Sequence, residues 1–523
     1  MIALFFKIKD FRSPVNCSVT KKVSNDSSKK LDLSRYTYFY QKDFMQYRRV
    51  YRLLTILVSL LFCLLLPVRV PAQTDKVDDY IQAEMKKRRI PGLALAVVQN
   101  GKIAGMKAYG FANLEYDVPA TQDTVFEIAS LTKQFTATAV MVLVEESKIK
   151  LEDPISKYLP ESPDKWKAIT IRHLLTHTSG LGGFTSLYEG GGRLNYSTAQ
   201  MFEVAAKLPL GFAAGEDWNY SDVNYFLLGM LIEKISGQNY RDFLTARFFT
   251  PLGMNSTFIL DQWAIVKNRA VNYTLRNNQL VNSRRAWQFE LSSFVGVLST
   301  IKDLAKWEIA LATGTIIKEE SLKQMWTPVK FNDGSVYTYG FGWEIGDRIG
   351  HRMITHKGIT GVEYTRFPDD KLTVIVLTNL GDRVAEKPEV NSWNLTKGVA
   401  GRFMPDLLFS SLKEQPGVNQ QLTQKLKDFL SALANGEDSP LMTAGLKAVL
   451  GAGAKANTAR RLKELKSFTF LRCDDRQKQV LERNDARIAR SCYYKMITGT
   501  ETFYYTFWLT SDDKLADFTS SIE

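Results

Sequence analysis

The 523 residues include only four cysteines, and none of them stands in a metal-binding or redox spacing. No G-x-S-x-G elbow occurs, which argues against the α/β-hydrolase fold. No P-loop is present, and no persuasive G-x-G-x-x-G follows a strand, so nothing points to a bound nucleotide. His173 and His177 stand at i, i+4, but no glutamate completes an H-E-x-x-H pattern, and neither a metal nor a cofactor is expected. No period of 20–50 residues repeats, which removes a solenoid. A hydrophobic content of 45% with 24% charged residues is that of a globular chain.

The net charge of +13 first suggests nucleic acid or anionic lipid. Its distribution weakens that idea. Residues 1–72 carry 13 Lys/Arg against 4 Asp/Glu, which leaves +4 for all the rest. No nucleic-acid partner is expected. The basic segment reads instead as a secretory signal. Met45–Arg52 is a basic n-region, Leu53–Val68 an apolar h-region, and Val70–Ala72 a small-residue cleavage site before Gln73. The protein is therefore expected to be exported, periplasmic or extracellular, touching the membrane only transiently. The alternative is an uncleaved anchor. Arg48–Arg49 is a weak hint of a twin-arginine route, and residues 1–44, unlike any part of a signal, read as a mis-called start ahead of Met45.

Cys17 and Cys63 fall in that leading segment. Cys473 and Cys492 lie on what read as neighbouring strands. They are either a disulfide, as an oxidising compartment allows, or two buried thiols.

The rest divides in two. Residues 73–404 begin with a helix and a strand hairpin turning at Asn100–Gly101, followed by a long helix from about Ser130 with an apolar stripe at Phe135, Ala139, Val142 and Leu143. A mostly helical middle contains the Gly-rich stretch SGLGGFTSLYEGGG, which is either a flexible loop or a lid on the rim of a pocket. Strands return from Tyr337, so distant segments are expected to complete one sheet. Residues 405–523 read as helices and then an antiparallel meander, a small α+β module of unknown role. Its aromatic strand Phe503–Trp508 reads as core.

The short stretch SLTK places Ser130 and Lys133 one helical turn apart. Spacing alone says little, because Ser162–Lys165, Ser299–Lys302 and Ser410–Lys413 repeat it. What singles out Ser130 is a collinear set. LEDPISKYLP (Leu151–Pro160), ITIRHLLTHTSGL (Ile169–Leu181), NYSDVNYFLLGMLIEKISG (Asn219–Gly237) and PLGMNST (Pro251–Thr257) come first. LSTIKDLAKW (Leu298–Trp307), YGFGW (Tyr339–Trp343) and HKG (His356–Gly358) follow. Over about residues 75–400 this resembles the serine β-lactamase and D,D-peptidase superfamily, nearest its class C-like branch of esterases, D-aminopeptidases and penicillin-binding-like proteins.

The resemblance implies an α/β (α+β) fold, an antiparallel sheet flanked by helices plus a mostly helical subdomain. It implies an acyl-enzyme serine hydrolase acting on a small-molecule or peptide ester or amide. Ser130 would be the nucleophile, and Lys133 and Tyr220 would move its proton. The backbone N–H groups of Ser130 and Ile359 would form the oxyanion hole. A serine hydroxyl needs such a neighbouring base, and a desolvated lysine loses its proton more easily.

Two departures bear on the substrate. Asp222 stands where the family has asparagine, so a donor becomes an acceptor, free to pair with Lys133 or with a cationic substrate group. His356 replaces the lysine of Lys-Thr-Gly, with Lys357 on the opposite strand face and Gly358 leaving room for substrate. A mainly neutral imidazole is a poor carboxylate anchor, so esterase or peptidase activity is expected ahead of true β-lactamase. The other reading is a catalytically weak relative that binds peptidoglycan, a peptide or a protein partner.

Overall fold

The computed structural model describes residues 73–184, 195–261, 263–283, 288–381, 394–476, 482–484 and 486–523. The expected signal (45–72), Met45, Cys17, Cys63 and residues 185–192 of the Gly-rich stretch lie outside the described residues.

A helix, α1 (Gln73–Arg88), leads into the hairpin β1 (Gly92–Gln99) and β2 (Lys102–Asn113), followed by the short β3 (Val118–Pro119). Asn100 and Gly101, both at positive φ, make the two-residue turn that matches strand twist. Helix α2 (Thr132–Glu145) comes next, then α3 (Ile171–Thr176), α4 (Asp222–Ser236) and α5 (Ile301–Ala312). Strands β4 (Glu344–Arg348), β5 (His351–Gly358), β6 (Val362–Phe367) and β7 (Leu372–Thr378) precede α6 (Leu395–Phe403).

Seven strands form one antiparallel sheet in the order β4-β5-β6-β7-β1-β2-β3. β1 pairs with β7 from Leu93 opposite Thr378 to Gln99 opposite Leu372, so segments some 280 residues apart share the centre of the sheet. These central strands are buried on both faces, which explains their unbroken apolar text. One face packs on α1 and α6 through Ile81, Leu95, Val374 and Val399, and the other on the helical part that carries α2.

Helix α2 departs from the one-sided stripe expected of it. Every residue from Thr132 to Leu143 is buried. Phe135 does sit in aromatic packing, 4.2 Å from the Trp307 ring and 5.9 Å from Phe249. The small polar residues on the remaining sides are buried as well and make hydrogen bonds. Buried polar groups are for the most part hydrogen-bonded in this way.

The C-terminal part has its own apolar core. Helix α7 (Gln420–Asn435) lays Leu422, Leu426, Phe429 and Leu433 against a four-stranded antiparallel meander. The meander is β8 (Leu465–Asp475), β9 (Arg490–Thr498), β10 (Glu501–Leu509) and β11 (Leu515–Ser521). Phe503, Tyr505 and Phe507 are buried in it. Cys473 and Cys492 are register partners on β8 and β9 and are joined by a disulfide. Among the described residues no helix is long and apolar enough to cross a membrane.

Candidate active site

Ser130 sits in a single 3₁₀ turn, Ala129–Leu131, that runs directly into α2. Ala129, just before it, holds a left-handed φ of 45°, uncommon for a residue with a side chain. One turn later the Lys133 side chain is wholly buried, and its Nζ spends three donors. It donates to Ser130 Oγ at 3.3 Å, to Asp222 Oδ1 at 2.8 Å and to the Phe294 carbonyl at 3.0 Å. It also lies 4.7 Å from the centre of the Tyr220 ring. The buried polar side of α2 explains how the carbonyl gets there. Thr132 Oγ1 accepts from the Val297 N–H, and Thr136 Oγ1 donates to Ser293 O, which clamps the segment carrying Phe294.

Tyr220 and Asp222 arrive at the start of α4. His177 holds this approach at two points. Its carbonyl accepts from Asn219 N–H at 3.0 Å, and its ring Nδ1 accepts from Ser221 N–H at 3.2 Å. The residue between them is Tyr220, whose ring centre lies 4.5 Å from the imidazole. Nδ1 also meets the Asn224 side-chain amide at 3.0 Å, so the ring proton belongs on Nε2. Burial holds His177 neutral, its pKa well below the usual histidine range. The fold thus separates the two histidines of the i, i+4 pair. His173 caps the N-terminus of α3, whereas His177 ends it at φ 60°. Among the described residues no cluster of three or more His, Cys, Asp or Glu could hold a metal ion.

The third wall is the end of β5. His356 is 3% exposed. Its Nδ1–H donates to Lys357 O at 2.9 Å, and its Nε2 accepts from Tyr339 OH at 3.1 Å. Desolvation pushes its pKa down to about 3, with Lys133 adding to the effect. It carries no charge at neutral pH and has no ring N–H left for a ligand. Gly358 is required by proximity. A Cβ there would meet Ile128 O at 2.6 Å and Val362 Cγ2 at 2.5 Å. Thr360 Oγ1 donates to Glu127 O at 2.5 Å across the same contact. The segments that carry the N–H groups of Ser130 and Ile359 therefore pack directly on each other, and the Ile359 side chain is 48% exposed.

The electrostatics differ from the expectation in one respect. Burial favours loss of the Lys133 proton, but the Asp222 charge, followed by Tyr220, outweighs it, and the lysine pKa lies above its ordinary value of 10.5. Burial likewise raises the Tyr220 phenol, although Lys133 and Ser130 pull the other way. Lysine and tyrosine are both protonated at rest. Two of the other Ser-x-x-Lys lysines serve elsewhere: Lys165 donates to Leu208 O and Lys302 to Asp123.

Two participants escaped the sequence reading. The Phe294 carbonyl is backbone and has no residue signature. His177 had a signal, its place in the structural motif HLLTHTSGL, but that motif does not say that the ring and carbonyl hold the Tyr220 segment.

Comparison with known proteins bears on this arrangement. A family model described as Beta-lactamase matches residues 77–393. Penicillin-binding protein 4* of Bacillus subtilis is 29% identical over 314 residues, 56% of this chain and 69% of that protein. Protein flp of Staphylococcus aureus strain MW2 is 27% identical over 324 residues, 60% of this chain and 64% of that one. The match thus spans about two thirds of the length of these relatives. Among solved structures, the octameric penicillin-binding protein homologue of Pyrococcus abyssi has a TM-score of 0.53 at 21% identity, covering 86% of this chain and 96% of that one. A D-amino acid amidase of Ochrobactrum anthropi SV3 has a TM-score of 0.54 at 24% identity, covering 63% and 97%. EstCE1, a hydrolase with promiscuous acyltransferase activity, has 0.55 at 21%, covering 63% and 98%. At these identities the likeness to solved structures is one of fold.

Proposed function

The chain belongs to the Beta-lactamase family, a family of serine hydrolases, and from that premise we propose that it is an exported hydrolase cleaving esters or amides through an acyl-enzyme on Ser130. The observation that carries the reading is the convergence on Lys133 Nζ of Ser130 Oγ, the Asp222 carboxylate and the Tyr220 ring. The Lys133–Tyr220 pair rests fully protonated, so it first releases one proton to solvent, and in that form it takes the Ser130 proton as Oγ attacks the substrate carbonyl. The N–H groups of Ser130 and Ile359 hold the oxyanion, each donor worth ~3 kcal/mol in comparable sites. The same proton then leaves with the alcohol or amine. Water, losing a proton to the pair, attacks the acyl-enzyme, and the pair returns that proton to Ser130 Oγ as the acid leaves.

Substrates without a free carboxylate next to the scissile bond fit best. A neutral, buried His356 supplies no ionic anchor for one, and Lys357 lies on the other strand face. Esters and simple amides therefore rank ahead of β-lactams. Two of the fold neighbours are named as an amidase and a hydrolase with acyltransferase activity, which agrees with that ranking. Export rests on the basic and apolar run before Gln73.

A panel of p-nitrophenyl esters, amino-acid amides and nitrocefin, run on the chain from Gln73 with Ser130→Ala as control, tests the proposal. Ester or amide turnover that vanishes in Ser130→Ala supports it. No turnover of any substrate by folded protein would sink it. A second reading, a catalytically weak binder of peptidoglycan or peptide, is favoured by the proton that Asp222 holds on Lys133. It requires ligand binding to survive Ser130→Ala in a protein without turnover.

A further inference from the structure

Next to Tyr220 stands a wall of two stacked aromatic rings. The Trp218 ring lies 6.4 Å from that of Tyr220 and stacks on Tyr337, with ring centres 4.3 Å apart and planes 22° apart. Tyr337 belongs to an arm of two-residue strands, Val329–Lys330 paired with Val336–Tyr337. So short a ribbon has little stability of its own. On one side its tip is held by Asn332, whose N–H donates to Gly215 O at 2.9 Å and whose amide donates to Ala214 O at 3.0 Å.

On the other side the arm packs on the strand Glu482–Arg483 of the C-terminal part. Burial and then the Glu344 charge raise the Tyr337 phenol above its ordinary value, and the nearby Arg483 charge acts the other way. Arg483 is itself anchored from behind, 3.5 Å from Asp517 Oδ2 and 4.6 Å from the centre of the Trp508 ring. The C-terminal part is fastened to the edge strand β4 and its turn. Arg476 pairs with Asp347 at 2.5 Å, Glu523 pairs with Arg348 at 2.8 Å, and Arg472 donates to Ile349 O at 3.0 Å.

We propose that residues 405–523 act as an outer buttress of the active-site entrance, with Arg483 pressing Tyr337 onto Trp218, and that this wall limits the size of the acyl group admitted to Ser130. The size limit rests on the hydrolase reading; the buttress itself does not. The wall is aromatic and sits on a weak arm, so its position depends on support from both sides. Withdrawing Arg483 frees one side and leaves Ser130, Lys133 and Tyr220 in place. Arg483 acts on substrate only through Tyr337 and Trp218, and is a positioning residue.

Two measurements on Arg483→Ala and Tyr337→Ala test this. Hydrogen exchange is read over residues 213–221 and 329–339, and kcat/KM is compared for p-nitrophenyl octanoate and p-nitrophenyl acetate. Arg483→Ala should speed exchange in both segments at least fivefold and raise the octanoate-to-acetate ratio at least fivefold. Acetate turnover should stay within twofold. Tyr337→Ala should raise the ratio at least as far. Unchanged exchange in Arg483→Ala overturns the buttress even if no ester is cleaved, and total inactivity of the wild type counts against the hydrolase reading alone. Faster exchange with an unchanged ratio overturns the size limit. A shift in Tyr337→Ala without one in Arg483→Ala overturns the part given to the C-terminal residues.

Discussion

Replacing Asp222 by asparagine removes one charge from a pair whose lysine is fully enclosed and whose carboxylate is 23% exposed. At 2.8 Å the attraction is ~6 kcal/mol with an effective dielectric of ~20. Desolvation of both ions offsets part of it, and breaking such a buried pair costs about 3–5 kcal/mol. The lower end applies here, because the new amide oxygen still accepts from Lys133 and water reaches the site. Asp222→Asn should therefore lose about 3 kcal/mol of stability at pH 7 by urea unfolding.

The sign with pH follows from Lys133. Its folded pKa is raised, so the stabilisation is complete below the ordinary lysine value of 10.5 and fades as pH climbs through the folded value. The deficit of the variant should thus be flat from pH 6 to 9 and shrink only in stronger alkali. Reactivity should move the other way. Without Asp222 the lysine gives up its proton more readily, so the rise of fluorophosphonate labelling with pH should begin at lower pH than in the wild type. Superimposable labelling profiles, with both proteins folded, would refute the assignment of Asp222 as the group that keeps Lys133 charged.

His177→Leu leaves the Ser221 N–H and the Asn224 amide without their acceptor, at ~1–3 kcal/mol each, and should slow labelling of Ser130 more than tenfold. His177→Asn keeps an oxygen near Nδ1 and tolerates the φ of 60°, so most of the rate should return; equal rates in the two variants would remove the bracketing role. Gly358→Ala drives a methyl into Ile128 O and Val362, and should cut kcat about 100-fold with a smaller change in KM, since a displacement of ~1 Å in such a site has that effect. A wild-type kcat in this variant would show that the contact yields freely. Cys473→Ser with Cys492→Ser opens a loop of 19 residues and should cost about 3 kcal/mol in denaturant unfolding; a loss below about 0.5 kcal/mol would show that the bridge contributes little.

The parts of the fold that could be read from sequence were those whose chemistry is local. Asn100–Gly101 announces its turn, the unbroken apolar strands announce burial on both faces, and the order of Ser130, Tyr220 and His356 places three walls of one cleft. Enclosure was harder to read. Helix α2 carries Thr132 and Thr136 where a surface helix would carry charge, and their meaning depends on the segment they clamp. The protonation of Lys133 turns on a contest between burial and Asp222, and residue types alone do not give its outcome. His356 was expected to be mainly neutral, and the sequence could not show that Tyr339 and Lys357 take up both of its ring nitrogens.

The central claim is that Ser130 is the nucleophile. Incubating the chain from Gln73 with a fluorophosphonate at pH 9, followed by intact-mass and peptide mass spectrometry, tests it most directly. The account predicts one adduct per chain, on Ser130, formed at least 100-fold more slowly in Tyr220→Phe and absent in Ser130→Ala. A folded protein that takes up no label, or takes it up on another serine, would contradict it.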